Sequence, residues 1–213
     1  MTGILIFGGH GKVALLAEPM LVDAGNNVEA VVRNPDHVAE VEATGARAVV
    51  ANLEVMGQEE VDQLVEGHEV VIWSAGAGGG AASRTKAVDE EAALRVLGAV
   101  GKAGARFIMV SYFGASLDHG VPEEDPFFAY AEAKAHVDDA IRRSDTNWVI
   151  LAPSALTLEP ESGVEIGADV SREVSRATVA RVIAEVVARP GLSGVTISFN
   201  EGSTAPGVAL DGI

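Results

Sequence analysis

Short apolar runs with few polar interruptions recur along the chain: Ile4–Phe7, Val28–Val32, Ala48–Ala51, Val70–Trp73, Phe107–Val110, Trp148–Leu151 and Val195–Phe199. A strand with one face in water alternates polar and apolar residues. The first six runs do not, so they read as strands buried on both faces, the environment of a parallel sheet. Segments with helical spacing separate them. Val13–Ala24 stops at Gly25. Pro35–Ala43 has Asn34 as its N-cap and Pro35 in the first helical position. Gln58–Glu66 stops at Gly67, and Ser83–Ala103 carries Val88, Ala92 and Val96 on one stripe with Gly104 beyond its end. Asp125–Arg143 and Glu173–Ala188 complete the set.

Alternation of strand and helix implies right-handed crossovers, with helices covering both faces of the sheet. The expected architecture is α/β: a doubly wound parallel sheet, Rossmann-like, in three α/β/α layers, with residues 1–213 forming a single domain. No internal repeat or linker divides the chain. Two loops exceed what the scaffold needs, residues 113–125 and residues 157–171. Both follow strands, so both are expected at the carboxyl edge of the sheet, where ligands of such folds bind, and both are expected to build the substrate site.

Composition narrows the partners. The 213 residues include 31 acids and 15 bases, a formal charge of −16. That surface repels the phosphates of nucleic acids and anionic lipids, so neither a nucleic acid nor a membrane is expected as a partner. A nucleotide would need a local positive site acting against the global field. Cysteine is absent and the five histidines show no metal-ligand spacing, so no metal is expected. There is no apolar stretch of membrane-spanning length and no signal-peptide pattern at "MTGILIFGG", which makes the cytoplasm the expected location.

The turn after the first run is "GGHGKVA", Gly8 to Ala14. Gly8 suits a tight turn, and Gly11 would let backbone approach a pyrophosphate. The helix beginning near Lys12 would point free N–H groups at phosphate oxygens. Gly8, His10, Gly11, Lys12 and Val13 are therefore candidate cofactor contacts, with His10 touching phosphate or solvent. At the end of the second run Arg33 stands where NAD-selective domains place an acid, and no acid follows before Asp36. An arginine pairs with a 2′-phosphate that an acid would repel, so NADP(H) is expected over NAD(H). Asn52 and Leu53, after the third strand, are expected beside the adenine. Ala75, Gly76 and Ala77 form a small-residue crevice for ribose or nicotinamide.

A reaction is suggested by "YAEAK", which sets Tyr130 and Lys134 four apart on one helical face. A neighbouring ammonium would move the phenol's pKa towards neutrality, and Lys134 would also hold the nicotinamide ribose. Ser111 would hydrogen-bond a substrate carbonyl. Tyr112 is a rival phenol, but adjacent strand side chains point to opposite faces, so Ser111 and Tyr112 are not expected both to face the site. His119, in the long loop, reads as solvated, and His37, His68 and His136 as surface residues.

These residues resemble the short-chain dehydrogenase/reductases, in their atypical NAD(P)-binding, epimerase/dehydratase-like and NmrA-like branch. "GGHGKVA" looks like the family's glycine motif, "VVRNP" its arginine-bearing second strand and "YAEAK" its Tyr-x-x-x-Lys. "LAPSALT" is similar to the segment that closes over the nicotinamide, which adds Pro153 and Ser154 to the cofactor contacts. The resemblance implies a dinucleotide fold and redox or epimerase-type chemistry. Three departures stand out: Asn52 replaces the adenine-side acid, Tyr112 a second serine, and Ala152 an arginine before the closing proline. The expected function is an NADP(H)-dependent oxidoreductase with Ser111, Tyr130 and Lys134 as its catalytic set. Its expected substrate is a small carbonyl or quinone-like compound, and a homodimer is an allowed assembly. The alternatives are a non-enzymatic NADP(H) sensor and a sugar-nucleotide epimerase or dehydratase.

Overall fold

The computed structural model describes residues 1–76 and 82–213. Eight strands form one sheet in the order β3-β2-β1-β4-β5-β6-β10-β8. The strands are β1 (Gly3–Phe7), β2 (Asn27–Val32), β3 (Arg47–Val50), β4 (Val70–Trp73), β5 (Arg106–Val110), β6 (Asn147–Pro153), β8 (Gly163–Ile166) and β10 (Val195–Gly202). All pairings are parallel except β8 against β10. The doubly wound expectation holds. Chain order runs outward from β1 in both directions, which leaves a crevice above the point where β1 separates β2 from β4.

Both faces of the sheet are covered, as the continuous apolar runs require. Ile4, Ile6, Ile72 and Ile108 turn to one face with α1 (Ala14–Asp23) and α7 (Arg176–Val187). Leu5, Phe7, Trp73 and Phe107 turn to the other with α3 (Gln58–Val65), α5 (Ala93–Ala103) and α6 (Phe128–Arg143). The second expected helix is a 3₁₀ turn, Pro35–His37, continued by α2 (Val38–Glu42), and Asn34 caps it by accepting from the Asp36 amide at 3.1 Å. The long fourth helix is three pieces: α4 (Ala82–Thr85), a π-helical stretch Lys86–Ala92, and α5. π-helical turns concentrate at functional sites.

The structure corrects the reading of residues 157–171 as a loop. β7 (Ala155–Thr157) pairs with β9 (Glu173–Ser175), and β8 lies inside the segment as an antiparallel edge strand. Val164, buried between exposed or half-exposed neighbours, is too short a signal to separate from loop. The last long helix starts at Arg176 rather than Glu173, because Ser175 is its N-cap and accepts from the Thr178 amide at 3.0 Å. A short helix, α8 (Pro206–Leu210), closes the chain.

One acid sits inside this framework with no ion pair among the described residues. Glu18 of α1 is fully buried, and its Oε1 has no hydrogen-bond partner among the described residues. Thr44 Oγ1 lies 3.0 Å from Glu18 Oε2 and 2.6 Å from the Val41 carbonyl. One hydroxyl hydrogen serves one acceptor, so a protonated Glu18 lets both contacts be hydrogen bonds. Burial raises the Glu18 carboxyl to about 7, with the Thr44 bond and the charge of His10 opposing it. A raised pKa gives stability that is complete below the unfolded value of 4.5 and lost as pH rises towards 7. Glu18→Gln should therefore match wild type near pH 5 and exceed it near pH 8 by roughly 3 kcal/mol, at 1.36 kcal/mol per pKa unit. Chemical denaturation at the two pH values measures this; an equal difference at both would show that Glu18 is ionised in the folded state throughout.

Candidate functional site

The turn between β1 and α1 lies against the end of β4. Gly8 has φ +87°, and a Cβ there would meet the Ala75 backbone at 2.6 Å. A Cβ on Gly11 would lie 3.0 Å from the Gly8 carbonyl, whose oxygen accepts from the Gly11 amide at 2.8 Å. No side chain caps the N-terminus of α1, and its first turn carries no acid. Backbone N–H groups and the positive end of a helix thus face the crevice without competition from a side chain, the arrangement that holds phosphate.

Above this turn opens a cleft of about 420 Å³. Gly8, His10, Gly11, Arg33, Asn52, Leu53, Ala75 and Gly76 from the sequence-based set line it. The Lys12 side chain is exposed and outside the lining, and Val13 packs into the core, so each would contribute through backbone. Ala77 lies outside the described residues. Pro153 and Ser154 line a different cavity, described below. His37 is a cleft residue and not merely a surface one: its ring stacks on His10 with centroids 3.5 Å apart, while His10 Nε2 lies 2.7 Å from Glu40.

Two cleft residues were not legible as site residues. Glu54 Oε1 accepts from Arg33 Nη1 at 2.6 Å and from Arg84 Nε at 3.2 Å. Both guanidiniums therefore converge where the second strand ends. They come from sequence positions 33 and 84, which only the fold brings together.

A second cavity, of about 320 Å³, lies beyond the ends of β5 and β6. Tyr112, Phe127 and Tyr130 form one wall, with ring centroids 5.3–5.7 Å apart. Phe113, Pro153 and Leu156 add apolar surface, and Ser111, Ser154 and Ser171 supply hydroxyls. Of the two long segments, only Phe113 and Ser171 reach this lining. Ser111 and Tyr112 both line it, contrary to the alternation argument, because β5 ends at Val110 and the rule lapses with the strand. The Tyr112 hydroxyl is buried with no hydrogen-bond partner among the described residues.

Beneath this cavity lies a buried charged cluster. Tyr130, Lys134 and Asp138 repeat at four-residue intervals along α6. Lys134 Nζ donates to the Val110 carbonyl at 2.8 Å and stands 5.9 Å from the Tyr130 ring centroid. Ser111 Oγ donates to Asp138 Oδ2 at 2.6 Å. Asp89, buried in the π-helical stretch, bears on both Lys134 and Tyr130, and its Oδ1 lies 3.1 Å from where a Gly76 Cβ would stand. Asp89 and Lys134 therefore occupy the ground between the two cavities.

The electrostatics reverse one sequence-based expectation. Lys134 does not draw the Tyr130 phenol towards neutrality. Burial pushes that phenol well above its ordinary value, and Asp89, Asp138 and Tyr112 push it further. Burial lowers the Lys134 ammonium against the pull of Asp89 and Asp138, and raises the Asp138 carboxyl against its Ser111 bond and the charges of Lys134 and Arg142. Tyr130 is thus a protonated phenol at neutral pH, a hydrogen-bond donor whose oxygen can still accept. His119 is also reassigned: its side chain is buried, Nδ1 accepts from the Val121 amide at 3.0 Å, and Nε2 bonds Glu132 at 2.9 Å, so it braces the 113–125 segment.

The chain is similar to proteins of a yeast and of bacteria. It is 37% identical to the UPF0659 protein C216.03 of Schizosaccharomyces pombe, covering 76% of this chain and 74% of that one. It is 31% identical to the uncharacterized sugar epimerase YhfK of Bacillus subtilis, covering 75% of each. A solved structure from Bacillus halodurans, provisionally named an NAD-dependent epimerase/dehydratase, superposes over 100% of both chains with TM-score 0.91 and 29% identity. The oxidoreductase YlbE of Lactococcus lactis does so with TM-score 0.87 and 25% identity, over 99% of this chain and 96% of that one. A family model described as NAD(P)H-binding matches residues 8–190, and the chain belongs to that family.

Proposed function

We propose that the chain is an NADP(H)-dependent oxidoreductase acting on a small, flat, uncharged carbonyl or quinone-like substrate. The observation that carries this reading is the second cavity. It is walled by three aromatic rings, and among the described residues its lining includes no charged side chain. Such a wall stacks on a conjugated ring system and offers hydroxyls at its edge. A sugar nucleotide would need cations for its second diphosphate, and this lining supplies none.

The cleft residues fit a pyridine dinucleotide by the glycine cradle and the uncapped helix, and Arg33 with Arg84 fit a 2′-phosphate. The reduced nicotinamide supplies the hydride. Lys134, buried and donating to the Val110 carbonyl, lines neither cavity, so in this reading it acts from beneath the site by fixing the end of β5 and placing a cation near Tyr130 rather than by touching the ribose. Tyr130, kept protonated by burial, donates a proton to the substrate oxygen as negative charge develops there. Reduction is the working direction of this proposal.

Mixing the protein with NADPH and a panel of naphthoquinones, small aldehydes, ketones and FMN, and following NADPH absorbance, tests it. On the best substrate Tyr130→Phe should lower kcat by about 10²–10⁴, the usual worth of a positioned proton donor. A Tyr130→Phe enzyme as fast as wild type would remove Tyr130 from the role. NADPH that binds but is consumed with no member of the panel would favour the sensor reading instead. Arg33→Ala should weaken NADP⁺ by roughly 1.5–3 kcal/mol, the range for a bond to a charged group, and leave NAD⁺ nearly unchanged. Titration calorimetry measures both, and equal losses would sink the 2′-phosphate assignment.

A further inference from the structure

Glu54 occupies the ground between the two arginines proposed to hold a 2′-phosphate. Its Oε1 receives both Arg33 and Arg84, and the three side chains line the same end of the cleft. The turn that carries it is fixed from two sides: Asn52 Oδ1 accepts the Glu54 amide at 3.1 Å, and Arg95 donates to the Leu53 carbonyl at 2.8 Å. The carboxylate is therefore placed by the backbone and not merely drawn to a passing cation. Burial alone would raise its pKa, but the Arg84 and Arg33 guanidiniums outweigh that and hold it below the ordinary value, so it is ionised at neutral pH.

We infer that Glu54 sets how strongly this site distinguishes NADP(H) from NAD(H), by competing with the 2′-phosphate for the two arginines. This rests on the cleft holding the adenosine end of a dinucleotide. With Glu54 ionised, two guanidiniums and one carboxylate present a single net positive charge to a group carrying close to two negative ones. A 2′-phosphate must share the two guanidiniums with Glu54 or displace it from them, and in either case a carboxylate is left beside a phosphate. For NAD(H) the same carboxylate is an acceptor for ribose hydroxyls, the service that an acid at the end of the second strand gives elsewhere. Here Arg33 holds that strand end, and the acid comes from the turn after β3. The site is built for phosphate by its arginines and restrained from it by Glu54.

The test is calorimetric binding of NADP⁺ and of NAD⁺ to wild type, Glu54→Gln, Glu54→Ala and Arg33→Ala, at low and moderate salt. Glu54 lies on a surface turn, so both substitutions leave the core untouched. The expected result is NADP⁺ binding about tenfold tighter in both Glu54 variants, equivalent to about 1.4 kcal/mol, with a steeper salt dependence and NAD⁺ no tighter than in wild type. If neither Glu54 variant tightens NADP⁺ while Arg33→Ala weakens it, Glu54 only positions the arginines and the inference is overturned, with the cofactor reading intact. If Arg33→Ala also leaves NADP⁺ unchanged, or neither nucleotide binds wild type, the cofactor reading fails and the inference with it.

Discussion

Everything functional in this chain depends on how closely backbone can approach backbone at one place, where the turn after β1 meets the end of β4. With φ +87° at Gly8 and Ala75 atoms 2.6 Å from any Cβ placed there, only glycine satisfies both the conformation and the space. That contact closes the bottom of the crevice between β2 and β4. It also aims the start of α1 at whatever lies in the crevice. The parallel registers of β1 with β2 and of β1 with β4 hold the two walls in fixed relation. The cleft is thus a property of the sheet, and the side chains around it refine a site the backbone has already defined.

A second constraint is the cost of burying charge next to that cleft. Lys134 and Asp138 lie inside the protein, and each is pushed towards its neutral form by burial while the other resists. Such a cluster stabilises the fold poorly compared with an apolar core of the same volume. Its geometry gives it another use. Ser111 is fixed by Asp138, Lys134 by the Val110 carbonyl, and Tyr130 is kept protonated, all at the boundary between the nucleotide cleft and an aromatic cavity. Ser111, committed as a donor to Asp138, meets the cavity with its acceptor lone pairs. On the proposed reading, the proton donor facing a substrate is then the Tyr130 hydroxyl.

The parts of this site legible in sequence were those whose physics is local. The Gly8–Ala14 turn and the Asn34–Pro35 cap announce themselves within a few residues, and five of the six strands expected to be buried do so by composition alone, the exception being β3, half-exposed at the sheet edge. The Tyr130–Lys134 spacing was equally visible, and one more step of four would have reached Asp138. What could not be read was whether that helical face meets water or the interior, and this decides the sign of the Tyr130 shift. Glu54 and Arg84 were invisible for a different reason. Their roles exist only because β2, the turn after β3, and α4 converge in space. Tyr112 was misjudged because the strand alternation rule was carried one residue past the end of β5.

The acidity of the chain bears on where an anion could be held. With 31 acids against 15 bases, cations tend to find carboxylate partners. Arg47 pairs with Glu29, Lys102 with Asp62, Arg143 with Asp139, Arg181 with Glu161, and Arg189 with Glu185 and Asp211. Even Arg33 and Arg84 share Glu54. An arginine already paired offers an incoming anion less than a full charge. Amide hydrogens at the start of a helix cannot be neutralised in this way unless a side chain caps them, and α1 has no such cap. In a protein of this charge, an uncapped helix start behind a glycine turn is a positive feature that the rest of the surface cannot cancel.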